Sequence, residues 1–302
     1  MLESNSWHSY PKVYALGHSA INELLYDDVI CEEKCDGSQF SFGVIDGQLR
    51  VRSHNKEMIV DAPEKMFQQA VDTVKELPLH DGWTYRAEYL SKPKHNALNY
   101  GRIPNKHLII FDINTGMETY LSYAEKKNEA DRLGLETVPL LFQGKITELN
   151  VIAEFLDTDS VLGNVKIEGV VIKNYLRFGK DGKVLMGKYV SEKYKEIQSK
   201  EWKAGNPNTK DVVQMIIASL RTDARWEKAV QHLKETDEYC GSPVDIGNLL
   251  KEIHKDIEEE CEEYIKDKLY SHFLQQIKRG VCAGFPEWYK NKLMESQPIN
   301  EN

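Results

Sequence analysis

The sequence predicts an α+β fold, with antiparallel sheets and flanking helices over residues 1–205 and a small all-helical region over 206–302. Short runs rich in β-branched and aromatic residues recur up to about residue 190, some joined by tight turn signals. Only a few amphipathic helical patterns interrupt them. Past residue 207 the strand signal stops and helical periodicity alone remains.

Taken in order, VICEEKCDGSQFSFGVIDGQLRVRS holds three strand-like segments. The last two, QFSFGVI and QLRVRS, meet at Asp46-Gly47, a pair suited to the positive φ angles of a two-residue hairpin turn. Asp61 is expected to cap a helix in which Met66, Phe67, Ala70, Val71 and Val74 recur at helical spacing. WTYRAEYL and HLIIFDI read as strands, separated by the basic loop SKPKHNALNYGRIPNK. Helices are expected near 122–133 and 146–157, and EGVVIKNY and KVLMGKYV form a strand pair around LRFGKDG. After the linker KAGNPNT, residues Ile246, Leu249, Leu250, Ile253, Ile257, Cys261, Tyr264 and Ile265 trace one apolar stripe with acids opposite. The acidic run EEECEEYIKD is expected to be a solvated helix face, and Trp288 and Tyr289 to anchor a helix into its own domain.

With 302 residues, 41% hydrophobic and 29% charged, an ordinary buried core is expected. A net charge of −9 argues against a protein that coats nucleic acid indiscriminately, because phosphate binding rests on Lys and Arg. Locally the balance differs: 166–205 is basic and 206–302 acidic. No apolar run approaches the roughly 20 residues of a bilayer span. The opening residues lack the layout of a secretory leader, so a cytoplasmic location is expected. Five scattered cysteines without a CxxC pair point to reduced thiols rather than a zinc site. No GxxxxGK[ST] loop is present, which disfavours a P-loop ATPase.

Lys34-Cys35-Asp36-Gly37 lies between two strand runs. It is either a surface turn with an incidental lysine or the seat of a nucleophile that attacks a nucleotide phosphate. A free lysine, with a pKa of about 10.4, is neutral in roughly one molecule in a few thousand at neutral pH. A nucleophilic Lys34 therefore needs cations, a metal or burial to depress its pKa. Partners follow in order: Arg52 in LRVRSHNK, Glu88 in YRAEYL, Phe111 and Asp112 in LIIFDI, Glu168 and Lys173 in EGVVIK, then Lys188 in GKYV. Glu168 and Lys173 would point to opposite faces of a flat strand. They reach one ligand only if the strand twists or Glu168 stands at its very start.

The ordered series KCDG, RSHNK, AEYL, LIIFDI, EGVVIK, GKYV resembles the nucleotidyltransferase motifs of ATP-dependent ligases and capping enzymes, over roughly residues 28–200. The run EEKCDGSQFS and the helical tail are most similar to the RNA ligases of the phage nick-sealing class. The resemblance implies an ATP-grasp-like nucleotidyltransferase fold and an ATP-dependent RNA ligase that joins 3′-OH and 5′-phosphate ends through AMP carried on Lys34. It also implies a backbone contact from Glu33 to adenine, Arg52 on the 5′-phosphate side, Glu88 on ribose or metal, and Phe111 stacked on adenine. Glu168 would ligate metal, and Lys173 and Lys188 would grip the α-phosphate. ATP and Mg²⁺ (or Mn²⁺) are the cofactors implied, RNA or an RNA-containing nicked duplex the partner, and a monomer the working state.

Two positions depart from the family pattern. Where its last motif carries two lysines one residue apart, this chain has Met186 and Lys188, so Lys183 or Lys193 would supply the missing charge. Asp36 stands where nick-sealing RNA ligases often carry histidine. A DNA ligase, a GTP-using capping enzyme and an inactive nucleic-acid-binding relative are the alternatives. Lys92, Lys94 and Arg102 in the loop 91–106, together with Lys193, are expected to track a phosphate backbone, with Tyr100 available to stack a base.

Overall fold

Alternation of apolar and polar residues along the strands builds two sheets whose polar faces meet. The computed structural model describes residues 6–148, 150–190 and 212–295. One sheet contains β1 (Tyr14–Ala15), β2 (Val29–Lys34), β10 (Leu140–Gly144), β11 (Gly169–Phe178) and β12 (Val184–Val190), in the order β1-β12-β11-β2-β10. The other contains β3 (Ser38–Ile45), β4 (Gln48–Ser53), β5 (Glu57–Met58), β6 (Thr84–Tyr89), β7 (Leu108–Gly116) and β8 (Thr119–Tyr120). Its order is β5-β4-β3-β6-β7-β8, with β9 (Glu136–Thr137) alongside β7. Pairing between these strands is antiparallel except for β1 with β12 and β7 with β9.

The hairpin forms as its turn residues require. Ile45 pairs with Gln48, and Asp46 and Gly47 hold φ angles of 53° and 72°. One face of the second sheet buries Phe40, Phe42, Val51, Tyr85, Ala87 and Ile110 against Phe67, Ala70, Val71 and Val74. The latter belong to a 3-10 turn (Lys65–Phe67) and α1 (Gln68–Lys75). Asp61 does not cap this helix. Ile59 and Ala62 form a bridge, so the chain is still turning at Asp61, whose carboxylate pairs with Lys75 at 3.2 Å.

On the opposite face of the same strands lie Ser41, Arg52, Arg86, Glu88, Asp112 and Asn114. Helix α2 (Tyr123–Leu133) starts at a Ser122/Glu125 capping box and ends at Gly134 in the left-handed region. The expected 146–157 helix is shorter: α3 (Asn150–Glu154), then a 3-10 turn Phe155–Asp157. The first sheet packs Val29, Cys31, Val170, Ile172 and Leu185 against Ile21, Leu24 and Ile152. Its other face carries Glu32, Lys34, Lys173 and Lys188.

The C-terminal part is helical throughout the described residues: α4 (Val212–Leu220), α5 (Asp223–Glu235), α6 (Ile246–Val281) and α7 (Phe285–Glu295). The expected boundary at 205/206, the linker before α4 and Lys193 lie outside the described residues. Helices α4 and α5 pack on α6, burying Cys261, whereas Ile246, Leu250 and Tyr264 of the apolar stripe stay exposed. Trp288 and Tyr289 are exposed as well and stack on Phe285 of their own helix, so the expected anchoring is not found among the described residues. No helix among the described residues is long and apolar enough to cross a membrane.

Candidate active site

Residues Cys35-Asp36-Gly37 carry the chain from β2 in one sheet to β3 in the other. Gly37 is needed there because a Cβ would lie 2.7 Å from both Glu88 Cγ and the Tyr89 carbonyl. Its N–H donates to Glu88 Oε1 at 3.2 Å. Asp36 accepts the Ala97 and Leu98 amides at 2.8 and 2.7 Å, and its own amide donates to the Tyr100 hydroxyl at 2.7 Å. Asp36 thus pins the loop 91–106 against the crossing. The pair Asp36-Gly37 builds the corner that sets Lys34 beside Glu88.

Lys34 Nζ donates to both Glu168 oxygens at 2.8 Å. Glu168 stands just before β11, where Gly169 pairs with Lys34. That position lets Glu168 reach Lys34 even though strand alternation puts Lys173, not Glu168, on the Lys34 face. A cleft of about 1280 Å³ opens here, walled by Lys34, Glu88, Phe111, Glu168 and Lys188 from the sheets and by side chains of α5 and α6.

The electrostatics differ from the expectation of a depressed lysine. Burial pulls the Lys34 pKa down, but the charges of Glu168, Glu88 and Asp36 outweigh it, and the net shift is upward. The reason is that the nearest charges are acids, while Lys173 and Lys188 are engaged by other carboxylates. Burial pushes Glu88 up to about 8, with Lys34 opposing and Glu168 and Asp36 reinforcing. Burial also raises Glu168, against the pull of Lys34.

Two hard carboxylates around one ammonium suit a divalent cation such as Mg²⁺, which binds through one or two carboxylates, retained waters and substrate phosphates. No group of three or more ligating side chains occurs among the described residues, so substrate oxygens would have to complete the shell.

Lys173, expected on the α-phosphate, is committed elsewhere. Its Nζ donates to Glu32 Oε2 and the Phe111 carbonyl, each at 2.6 Å, and lies 3.0 Å from Asp112 Oδ2. These acceptors use all three of its donors. Lys126 reaches Glu32 from α2, and Asp112 also accepts from Tyr10 and Tyr175. Burial would raise Asp112, but Lys173 and Lys126 outweigh it and hold its pKa below the usual range. The network braces Phe111, whose ring lies 5.7 Å from Lys173 Nζ and meets Tyr10 edge-on at 5.1 Å. Glu32 could have been noticed, since it alternates with Lys34 on one strand face; nothing in the sequence marks Lys126 or Tyr10.

The remaining positions divide. Glu33 turns to the opposite face, accepting from Ser160 Oγ at 2.5 Å and the Val161 amide at 3.0 Å, and its own amide donates to Pro139. Arg52 lies outside the cleft lining; its buried Nε has no hydrogen-bond partner among the described residues, and burial lowers its pKa. Met186 is buried against Tyr10 and Val184 and sits directly across from Lys173, where a second ammonium would be repelled. Lys183 lines the cleft and donates to Ser9 Oγ at 3.0 Å.

Lys92 and Lys94 are exposed. Arg102 is not free for a phosphate: Glu136 holds it at 2.8 and 2.7 Å and the Val161 carbonyl at 3.1 Å. Tyr100 is 2% exposed, so it supports the loop from beneath and cannot stack a base. Nor is the acidic run wholly solvated, because Glu260 turns inward to Lys188, 3.3 Å away. The helices reach the β-rich part again where Gln231 and Glu235 bond Ser38 Oγ at 2.8 and 2.7 Å.

A family model described as RNA ligase matches residues 27–190, more than half of the 302-residue chain. The chain belongs to the RNA ligase family. The match spans β2 to β12 and every site residue from Lys34 to Lys188, whereas α4 to α7 lie beyond it. Comparison with curated proteins gave no match. Among solved structures, this RNA ligase family member is similar to a Naegleria gruberi RNA ligase with PPi, at 18% identity and a TM-score of 0.45, covering 66% of this chain and 60% of that one. Variants of the same Naegleria ligase, one with ATP and Mn and one with AMP and Mn, are likewise 18% identical, with TM-scores of 0.45 and coverage of 65% and 60%. The chain thus spans about 60% of the length of these relatives.

Proposed function

We propose that this RNA ligase family member is an ATP-dependent RNA ligase that works through AMP bound covalently to Lys34. The observation that carries the reading is Lys34 Nζ held 2.8 Å from Glu168 in a cleft shared with Glu88, Phe111 and Lys188. In the first step the Lys34 amine attacks the α-phosphorus of ATP. Glu168 takes one proton from the Lys34 ammonium, a P–N bond then forms, the bond to pyrophosphate breaks, and the second nitrogen proton leaves with pyrophosphate. Mg²⁺ or Mn²⁺, held by Glu88 and Glu168, would neutralise triphosphate charge. Phe111 offers a face for adenine. Lys188, helped by Lys183, faces the phosphates, where fixed cations stabilise the charged oxygens of phosphoryl transfer.

AMP then passes to a 5′-phosphate end, and a 3′-hydroxyl attacks that activated end, forming the phosphodiester and releasing AMP. Glu33 and Arg52 are assigned to adenine and to the 5′-phosphate side, and Lys92, Lys94 and Lys193 to the RNA backbone. Lys173 is assigned here to bracing Phe111. A monomer acting in the cytoplasm on single-stranded or nicked RNA completes the reading.

The test is incubation with ATP labelled at its α-phosphate and Mg²⁺ or Mn²⁺. Label should attach to the wild-type chain and be absent from Lys34→Ala. Label that persists in Lys34→Ala moves the nucleophile elsewhere, and none on the wild type overturns the reading. Sealing of nicks that carry ribose or deoxyribose at the 3′-OH side then separates an RNA ligase from a DNA ligase.

A further inference from the structure

Strand β12 and helix α6 meet through an ion pair. Glu260 of α6 places Oε1 3.3 Å from Lys188 Nζ on β12 and 3.2 Å from Lys228 Nζ on α5, and its Oε2 lies 3.3 Å from Lys188 as well. One carboxylate therefore holds together two ammonium groups from separate parts of the chain. Lys228 has a second acceptor in Asp256, which also pairs with Arg225, so Lys228 stays placed if Glu260 leaves. Lys188 has no second carboxylate among the described residues. Glu260 is 36% exposed, at the rim of the cleft, and its side chain has water to swing into.

A carboxylate between two ammonium groups occupies the position a phosphoryl group would take, and a phosphoryl group offers more charge and more acceptor oxygens. Resting on the reading that this cleft binds nucleotide phosphate, we propose that Lys188 and Lys228 form a phosphoryl-binding subsite spanning both parts of the chain, with Glu260 as its internal occupant until substrate displaces it. Lys228 is then a substrate-binding residue supplied by the helical region. Its engagement draws α5 onto the bound phosphate, which gives that acidic region a task its net charge conceals. The carboxylate is itself well held: burial raises its pKa, but Lys188 and Lys228 outweigh that and bring it down to about 2, so it is an anion at any working pH. The phosphoryl group belongs either to the nucleotide or to the 5′ end of a polynucleotide.

Calorimetric titration of the full chain, at one ionic strength, tests this with adenosine, AMP, α,β-methylene-ATP, and an oligoribonucleotide with and without a 5′-phosphate. Glu260→Gln should bind the phosphoryl ligand roughly tenfold tighter than wild type and Lys228→Met roughly tenfold weaker, the scale of one hydrogen bond to a charged group. Adenosine and the 5′-hydroxyl oligonucleotide should bind all chains alike. Whichever phosphorylated ligand responds identifies the source. Unchanged affinity for all phosphorylated ligands in Glu260→Gln overturns the proposal. If Lys228→Met loses adenosine binding too, and so has lost its fold, Lys228→Arg takes its place and should retain near wild-type affinity; tenfold loss there with Glu260→Gln unchanged also overturns it. A wild-type chain that binds neither AMP nor the ATP analogue sinks the underlying reading of the cleft, an outcome distinct from variants that bind as wild type does.

Discussion

Two lysines on one face of the same sheet, Lys173 and Lys34, each meet carboxylates, and the two clusters differ in how completely they are closed. Lys173, with Glu32 and Asp112, has every ammonium donor used and exposures of 2%, 1% and 0%. Among the described residues Lys34 is bonded to Glu168 alone, and these side chains remain 28% and 16% exposed. The chemical parts are the same. A lysine saturated by buried acceptors acts as a strut, because moving it strands a charge in a low dielectric. A lysine with one partner and an open flank can exchange that partner for substrate.

The largest expected effect separates the two clusters directly. Lys34→Met should abolish adenylate formation while the chain still unfolds cooperatively near the wild-type denaturant midpoint. Lys173→Met should cost about 3–5 kcal/mol of stability, the usual penalty for breaking a buried ion pair, measured by urea unfolding. If Lys173→Met keeps its stability and loses only activity, the strut assignment fails.

Next comes the open cluster's charge state. Removing an anion beside an ammonium lowers the ammonium's pKa. Glu168→Gln should therefore move the pH midpoint for acylation of Lys34 by a small amine-reactive activated ester down by roughly one unit or more. An unmoved midpoint would mean that Glu168 is not what holds Lys34 charged.

A smaller effect follows from Glu88. Its folded pKa of about 8 lies above the ordinary 4.5, so the fold favours its protonated form. The associated stability is complete below 4.5 and is lost as pH rises to about 8. Glu88→Gln should melt progressively higher than wild type across that window and hold a constant lead above it. A lead that does not vary with pH contradicts the shift.

The smallest effect concerns the loop 91–106. Arg102→Ala should cost no more than about 1 kcal/mol, as exposed pairs do, and leave RNA affinity unchanged. Lys92→Ala with Lys94→Ala should weaken RNA binding and flatten its salt dependence. Loss of RNA affinity in Arg102→Ala would restore it to the backbone track.

Much of the fold was legible because its cues are local. Strand alternation marked the sheets, Asp46-Gly47 the hairpin, and the helix expected near 122–133 is α2. Helix α1 was found, but its start was misplaced, because the bridge between Ile59 and Ala62 overrides the capping tendency of Asp61. Lys34, Glu88, Phe111, Glu168 and Lys188 line one cleft as their order suggested. Arg102, Tyr100 and Lys173 carry the right chemistry for ligands but are spent on neighbours, which the sequence does not name. Lys126 bonds Glu32 from 94 residues away and Lys188 meets Glu260 across 72, separations at which no periodicity speaks.

By itself the sequence determined which side chains share a strand face and in what order the reactive residues occur, since both follow from the two-residue repeat of extended backbone. Only the tertiary structure decided which of those residues are free. Whether Lys34 is charged, Lys173 saturated or Lys188 already occupied depends on acids delivered from distant segments and on how much water reaches them, and neither is written in local spacing.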